Sequence, residues 1–168
     1  MELEFQNLIR VLDEYREEFE TLYKYLEENE PASHGAPRKA SGNLLRSVQT
    51  TTDILDTRFQ VRFVAENYWR YNEEGRGPSR NGGVPYHKIL EWVEIKPVLP
   101  HEDEKGHLPT QEQLAWMIKK KIDKEGYQGL PLLQMTIDQL NDKYIELLKE
   151  ALAEDFKTAF LNLLISKL

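Results

Sequence analysis

Few residues in this chain have the types and spacing that chemistry requires. There are four histidines, His34, His87, His101 and His107, and no cysteine. Thiolate metal sites, cysteine nucleophiles and disulfides are therefore excluded. The one stretch with the residue types of a metal site is His101-Glu102-Asp103-Glu104-Lys105-Gly106-His107. Its spacing is not the His-Glu-x-x-His of a zinc-binding helix, and Pro97, Pro100 and Pro109 around it mark a loop. Metal ligands need fixed geometry and outer hydrogen bonds, so a solvated acidic loop is the expectation. Glu73 and Glu74 are neighbours in sequence and diverge on a helix, which rules them out as a facing acid and base. Nothing selects a distant carboxylate to pair with Glu66 or Glu73. Ser33, Ser41, Ser47, Ser79 and Ser166 lie in no nucleophile-elbow context. Gly75-Arg76-Gly77-Pro78 contains Gly-x-Gly, but it follows a helical stretch and Pro78 lacks the N–H that a phosphate cradle would use. The expectation is a protein that is not an enzyme and has no catalytic residue, cofactor or metal.

Recognition chemistry is the remaining possibility. Tyr68-Trp69-Arg70-Tyr71 with Arg76 and Arg80 nearby has the types needed to stack bases and meet phosphates. Core packing of the three aromatics against a sheet uses the same residues and is the expectation here. Charge is unevenly spread. Residues 1–30 carry a net −7, residues 31–80 a net +3 and residues 81–168 a net −3. An acidic arm beside a basic middle does not suit a protein that coats DNA. It suits subunits that meet head-to-tail with opposite signs facing, or two faces that are simply solvated.

The elements that would position these residues read as a helix-dominated α+β fold in one domain, 1–168, with a small antiparallel sheet and long N- and C-terminal helices. Residues 1–30 form the N-terminal helix: Phe5, Leu8, Leu12, Tyr15, Phe19, Leu22 and Leu26 recur at alternating three- and four-residue steps. That stripe packs on its own domain or reaches a neighbouring subunit. Residues 30–42 are a Pro/Gly/Ser-rich loop. Residues 43–96 hold the small sheet and short helices. Phe59, Val61 and Phe63 alternate with Arg58, Gln60 and Arg62, which places one apolar and one polar face on a strand. Two antiparallel strands, 46–54 and 57–64, turn around Asp56, with further strand expected near Val93–Val98 or from another chain.

Ala65–Gly75 reads as a short aromatic helix stopped by Gly75, and 75–85 as a mobile or ligand-facing Gly/Pro loop. Pro85 opens a helix carrying Ile89, Leu90 and Val93. Residues 97–109 form a second loop. Residues 110–168 are the helical C-terminal part. Thr110 and Gln113 have capping-box spacing ahead of Leu114, Met117, Ile118 and Ile122, with Gly126 as the stop. Thr136 and Gln139 repeat the spacing and open a long helix. Its expected inward face is Leu140, Tyr144, Leu147, Leu148, Ala151, Leu152, Phe156, Ala159, Phe160, Leu163 and Leu164. The first residues lack the layout of a signal peptide, and no apolar run approaches the ~18 residues that span a membrane. A soluble protein made in a reducing cytoplasm is expected.

In this order the elements resemble the phage tail-completion (head–tail joining, neck) family, whose members often carry a Tyr-rich helix ending in an acidic residue and Gly. The matching stretch is Tyr68-Trp69-Arg70-Tyr71-Asn72-Glu73-Glu74-Gly75-Arg76-Gly77-Pro78. It is followed by a Gly/Pro loop and by Pro85-Tyr86-His87-Lys88-Ile89-Leu90-Glu91-Trp92-Val93. A further likeness is Pro109-Thr110-Gln111-Glu112-Gln113-Leu114-Ala115-Trp116-Met117-Ile118, then Lys119–Ile122 and Glu125-Gly126. The resemblance covers about residues 41 to 130. The longer N-terminal helix, the Pro-bounded 97–109 segment and the long C-terminal helix depart from it.

The resemblance implies a structural virion protein of a tailed bacteriophage, a ring-forming connector between the portal side of the head and the tail. It would be assembled in the bacterial host cytoplasm. Its partners would be copies of itself and other neck, portal or tail proteins, with no membrane and DNA contact at most indirect. Contact candidates between subunits are Phe5, Leu12 and Phe19 on the N-terminal helix, Arg58 and Arg62 on the sheet, and Tyr68, Trp69, Glu73, Arg76 and Arg80 around the aromatic helix and loop. The alternative is a nucleic-acid-binding or regulatory module gripping through the basic 38–80 segment with Arg58, Arg62, Arg70, Arg76 and Arg80. A small hydrolase would need a carboxylate pair or metal that cannot be assembled from this sequence.

Overall fold

The computed structural model describes residues 5–30, 42–55, 58–79, 83–96, 100, 102 and 106–165. The protein is a helix-dominated α+β fold, 68% helical, with a small antiparallel sheet and long first and last helices. The elements run α1 (Gln6–Asn29), α2 (Asn43–Ser47), β1 (Gln49–Leu55), β2 (Arg58–Val64), α3 (Trp69–Glu74), β3 (Gly75–Arg76), α4 (Tyr86–Ile95), α5 (Gln111–Glu125), β4 (Tyr127–Gln128) and α6 (Leu132–Ile165). Contacts gather them into two compact units. One comprises Met1–Leu26, Ser47–Ala65 and Leu132–Leu168, the other Glu27–Arg46 and Glu66–Pro131.

The first unit is a helix pair with a hairpin laid on it. α1 and α6 run antiparallel, with Asn7 against Asp155 and Tyr15 against Tyr144. The face of α1 that is buried includes Leu8, Val11, Leu12, Phe19, Tyr23 and Leu26. This is wider than the two-position seam read from the sequence, because a helix against a globular core buries three or four positions per two turns. Tyr23, outside that seam, is fully buried and meets the Phe63 ring edge-on at 5.0 Å.

β1 and β2 pair antiparallel from Gln49–Val64 to Leu55–Arg58. Strand alternation puts Thr50, Thr52, Phe59 and Phe63 on the α1 side. There Thr50 donates to Glu20 at 2.8 Å, Thr52 donates to Asp13 at 2.9 Å, and Phe59 packs on Phe5 at 5.3 Å. Asp53, Gln60 and Arg62 occupy the other face, joined by Gln60–Asp53 and Arg62–Asp53 contacts of 3.0 and 2.5 Å. A two-stranded sheet is marginal alone, and the packing of α1 on one face supplies what it lacks.

The second unit centres on α4 and α5. Ile89, Val93 and Ala115 form its core, with Val84, Tyr86, Leu90, Trp92, Leu114, Ile118 and Ile122 packed around them. The capping box at the start of α5 is complete: Gln113 N donates to Thr110 Oγ1 at 3.3 Å, and Thr110 N donates to Gln113 Oε1 at 3.0 Å. Gly126 closes the helix at φ 74°. β3 and β4 pair antiparallel, with Gly75 opposite Gln128 and Arg76 opposite Tyr127. A Cβ on Gly75, at φ 73°, would lie 2.3 Å from both Gly129 N and Tyr127 O. Only glycine allows the two backbones this close.

Several sequence expectations are corrected. Arg46 and Ser47 belong to α2, and β1 begins at Gln49. Val93, Glu94 and Ile95 lie in α4, because their 3.6-residue apolar period fits a helix buried on α5 better than a strand; residues 97–99 lie outside the described part. The aromatic helix begins at Trp69. Thr136 does not cap the last helix, which starts four residues earlier at Leu132. The Thr136 side chain is fully buried, and its hydroxyl donates to Leu132 O at 2.7 Å. The turn at 56–57 and most of the 30–42 and 97–109 loops lie outside the described residues.

Candidate functional site

In the first unit, Phe5 is half-buried between the rings of Phe59 and Phe156, at 5.3 and 6.0 Å. Leu12 is 8% and Phe19 5% exposed. Both are buried within the chain, which leaves little of either for a neighbour to reach. Some of the acidic side chains of α1 are engaged within the chain. Arg10 pairs with Glu14, Arg16 with Glu17 and Asp13, and Lys24 with Glu20. Lys143 reaches Glu18 from α6 at 2.5 Å, and the Tyr144 hydroxyl donates to the same carboxylate at 2.6 Å. Lys143 first, then Tyr144, hold the Glu18 carboxyl below the usual carboxylate range. Burial, followed by the Glu18 partner, pushes the Tyr144 hydroxyl up. The three basic residues of the arm are already counted in its net −7, so of these pairs only Lys143 brings charge from outside, and the arm remains strongly acidic.

Arg58 and Arg62 are exposed on the outer face of β2, four residues or about 13 Å apart. Arg62 is engaged by Asp53. Both long edges of the hairpin are free of strand partners among the described residues. Ile54, Leu55 and Val64 stand half-exposed beside them.

In the second unit, Tyr68 is 41% exposed, and its hydroxyl is pushed up mainly by burial. Trp69 is half-buried with the Arg70 guanidinium 5.8 Å from its ring centre. Glu73 is only 9% exposed in the last turn of α3, so it too leaves a neighbour little to reach. Arg76 is half-buried in β3, and Arg80 lies outside the described residues.

The Gly/Pro segment expected to be loose is tied down on both sides of 80–82. Ser79 N donates to the backbone oxygen of Asp123 at 2.9 Å. The Asp123 carboxylate pairs with Lys119 and also meets the Val84 N–H. Lys119 above all keeps its pKa low. Of the five arginines of the nucleic-acid reading, Arg58 and Arg62 belong to one unit and Arg70 and Arg76 to the other, while Arg80 lies outside the described residues.

Two features escaped the sequence. The first is Asp155, 4% exposed on α6. It accepts from Asn7 N at 3.1 Å, Asn7 Nδ2 at 2.8 Å and Leu8 N at 2.9 Å. α1 follows Phe5, whose side chain cannot cap, and Asp155 takes the N2 and N3 amides that an N-cap oxygen ordinarily accepts. The one available signal was the missing cap at Phe5.

The second is the end of α6, where Phe156, Phe160, Leu161, Leu164 and Ile165 are 48–69% exposed. Phe156, Phe160 and Leu164 were expected inward. Their i, i+4 row advances about 40° around the helix at each step. By Phe160 it has turned about 160° from buried Tyr144. Met117, expected on the inner face of α5, is 57% exposed, and Ala115 takes the buried position.

Among the described residues no group of three or more His, Asp or Glu side chains could hold a metal ion. Among the same residues no helix is long and apolar enough to cross a membrane. No protein-family model, curated protein or solved structure matches the chain.

Proposed function

We propose that this chain is a structural subunit of a tailed bacteriophage, a ring-forming connector that joins the portal side of the head to the tail and performs no turnover. The observation that carries the reading is the β1–β2 hairpin. Its inner face is closed by α1, while among the described residues neither seven-residue edge has a strand partner, the Thr50 N–H being held by Glu20. An identical hairpin can add to each edge, and head-to-tail addition of one copy to the next closes into a ring when the rotation allows. The resemblance of residues 41–130 to tail-completion proteins adds support, and residues 68–93 and 109–126 carry most of it. Assembly would occur in the bacterial host cytoplasm, with copies of itself and other neck, portal or tail proteins as partners and DNA touched at most indirectly.

The test is antibody–gold labelling of the chain in particles viewed by negative stain. Label confined to the junction of head and tail is expected. Absence of the chain from particles would overturn the proposal. So would tight DNA binding in a gel shift at moderate salt, weakening by about one log unit per log of salt for each phosphate contacted.

A further inference from the structure

Apart from the contact of Phe5 with Phe156, the last turns of α6 present an apolar surface for which the fold described so far has no use. Phe156, Phe160 and Leu164 form one row, and Leu161 and Ile165 form a second about 100° around the helix; all five are 48–69% exposed. A helix that is apolar on more than one side belongs in an interior. Among the described residues, the last buried position of α6 is Asp155. α1 begins at Gln6, opposite Asp155, so roughly ten residues of α6, about 15 Å, continue past the start of its partner helix.

Charge indicates what covers this segment. Residues 158–166 contain no charged side chain, in a chain that is 30% charged with a net charge of −7. Copies of such a chain repel one another at long range, so a contact between copies is least opposed where charge is absent. The area also fits. Five side chains, each about half exposed and offering roughly 200 Å² in full, leave about 500 Å² per subunit. Two copies would bury about 1,000 Å², the size at which specific interfaces begin.

We infer that the 156–165 segment of α6 docks against the same segment of a second copy of this chain. The inference rests on the reading of the protein as a homo-oligomeric subunit, and adds to the hairpin edges a second, apolar contact between copies. For both rows to be covered, Phe160 and Leu161 must stand at its centre, with Phe156, Leu164 and Ile165 around them.

The native chain has no cysteine, so Phe160→Cys introduces a single thiol. The full-length variant, mildly oxidised, is expected to form an intermolecular disulfide, while Lys149→Cys, exposed elsewhere on α6, is not. Sedimentation of the wild-type chain over a concentration series should show self-association. The double variant Phe160→Glu/Leu164→Glu should weaken it roughly a hundredfold or more, with far-UV circular dichroism and melting temperature unchanged because both positions are exposed. A wild-type chain that stays monomeric at high concentration, or a Phe160→Cys protein that cross-links no better than Lys149→Cys, would overturn the inference. A monomer that is nonetheless labelled at the head–tail junction would sink this contact alone. Self-association through α6 in a chain absent from particles would sink the functional proposal alone.

Discussion

Replacing Asp155 by Ala should be among the most damaging single changes in the first unit. The carboxylate is 4% exposed and accepts three hydrogen bonds, two of them from the N2 and N3 backbone amides of α1. Loss of an N-cap acceptor costs about 1–2 kcal/mol. Leu8 N, buried with its residue, would then have no acceptor, which adds roughly 1–2 kcal/mol of desolvation. A total near 3 kcal/mol corresponds to a fall of roughly 6–12 °C in melting temperature for a chain of this size. Asp155→Asn keeps one acceptor oxygen in an N-cap-competent side chain and should lose only about 1 kcal/mol. Glu154→Ala, next door but exposed, should stay within about 0.5 kcal/mol of wild type. Urea and thermal melts followed by far-UV circular dichroism measure all three. If Asp155→Ala melts within about 2 °C of wild type, α1 finds another cap or frays at no cost, and the reasoning fails.

Gly75→Ala forces a Cβ to within 2.3 Å of the Gly129 and Tyr127 backbones at a positive φ. It should cost roughly 2–4 kcal/mol in a denaturant melt, whereas Gly77→Ala, with nothing within 4 Å, should be near neutral. Thr110→Ala removes the α5 capping box and should cost about 1 kcal/mol by the same measurement. For Glu18, Lys143 and Tyr144 lower the folded pKa. Its contribution is complete above the unfolded value near 4.3 and disappears as pH falls through the lower folded value. Wild type should therefore lose stability more steeply than Glu18→Gln on acidification below about pH 4.3, and parallel curves in urea melts across that range would refute the coupling.

What could be read from the sequence was whatever is decided within a turn or a strand. The capping box at Thr110–Gln113, the stops at Gly75 and Gly126, and the alternation of Phe59, Val61 and Phe63 are local, and the structure keeps them. Thr136 and Gln139 show the limit of that logic. Their spacing is also a capping box, but Leu132 and Leu133 extend the helix upstream, and Thr136 bonds back to Leu132 O inside it. Capping spacing marks a helix start only where the preceding residues cannot themselves be helical. The long apolar stripe of α6 misled in another way. A row that keeps i, i+4 spacing drifts around the helix, so membership of the row at Tyr144 says nothing about burial at Phe160. The Glu18–Lys143–Tyr144 cluster and the Asp155 cap could not be foreseen, because each joins residues more than a hundred positions apart with no local pattern.

Asp155 and Phe156 stand next to each other at a physical boundary. Up to Asp155, α6 is held within its own chain: Tyr144 and Lys143 on Glu18, then the carboxylate that closes the first turn of α1. From Phe156 onward the helix keeps its backbone hydrogen bonds but much less cover: Phe5 still meets Phe156, and Ala159 and Leu163 are half-buried, while Phe160, Leu161, Leu164 and Ile165 stand exposed. A helix this long needs tertiary support more than propensity. The cap therefore has a second consequence, since it fixes where α1 begins and hence how much of α6 is left uncovered. A chain whose α1 began two turns earlier would cover Phe160 with its own residues.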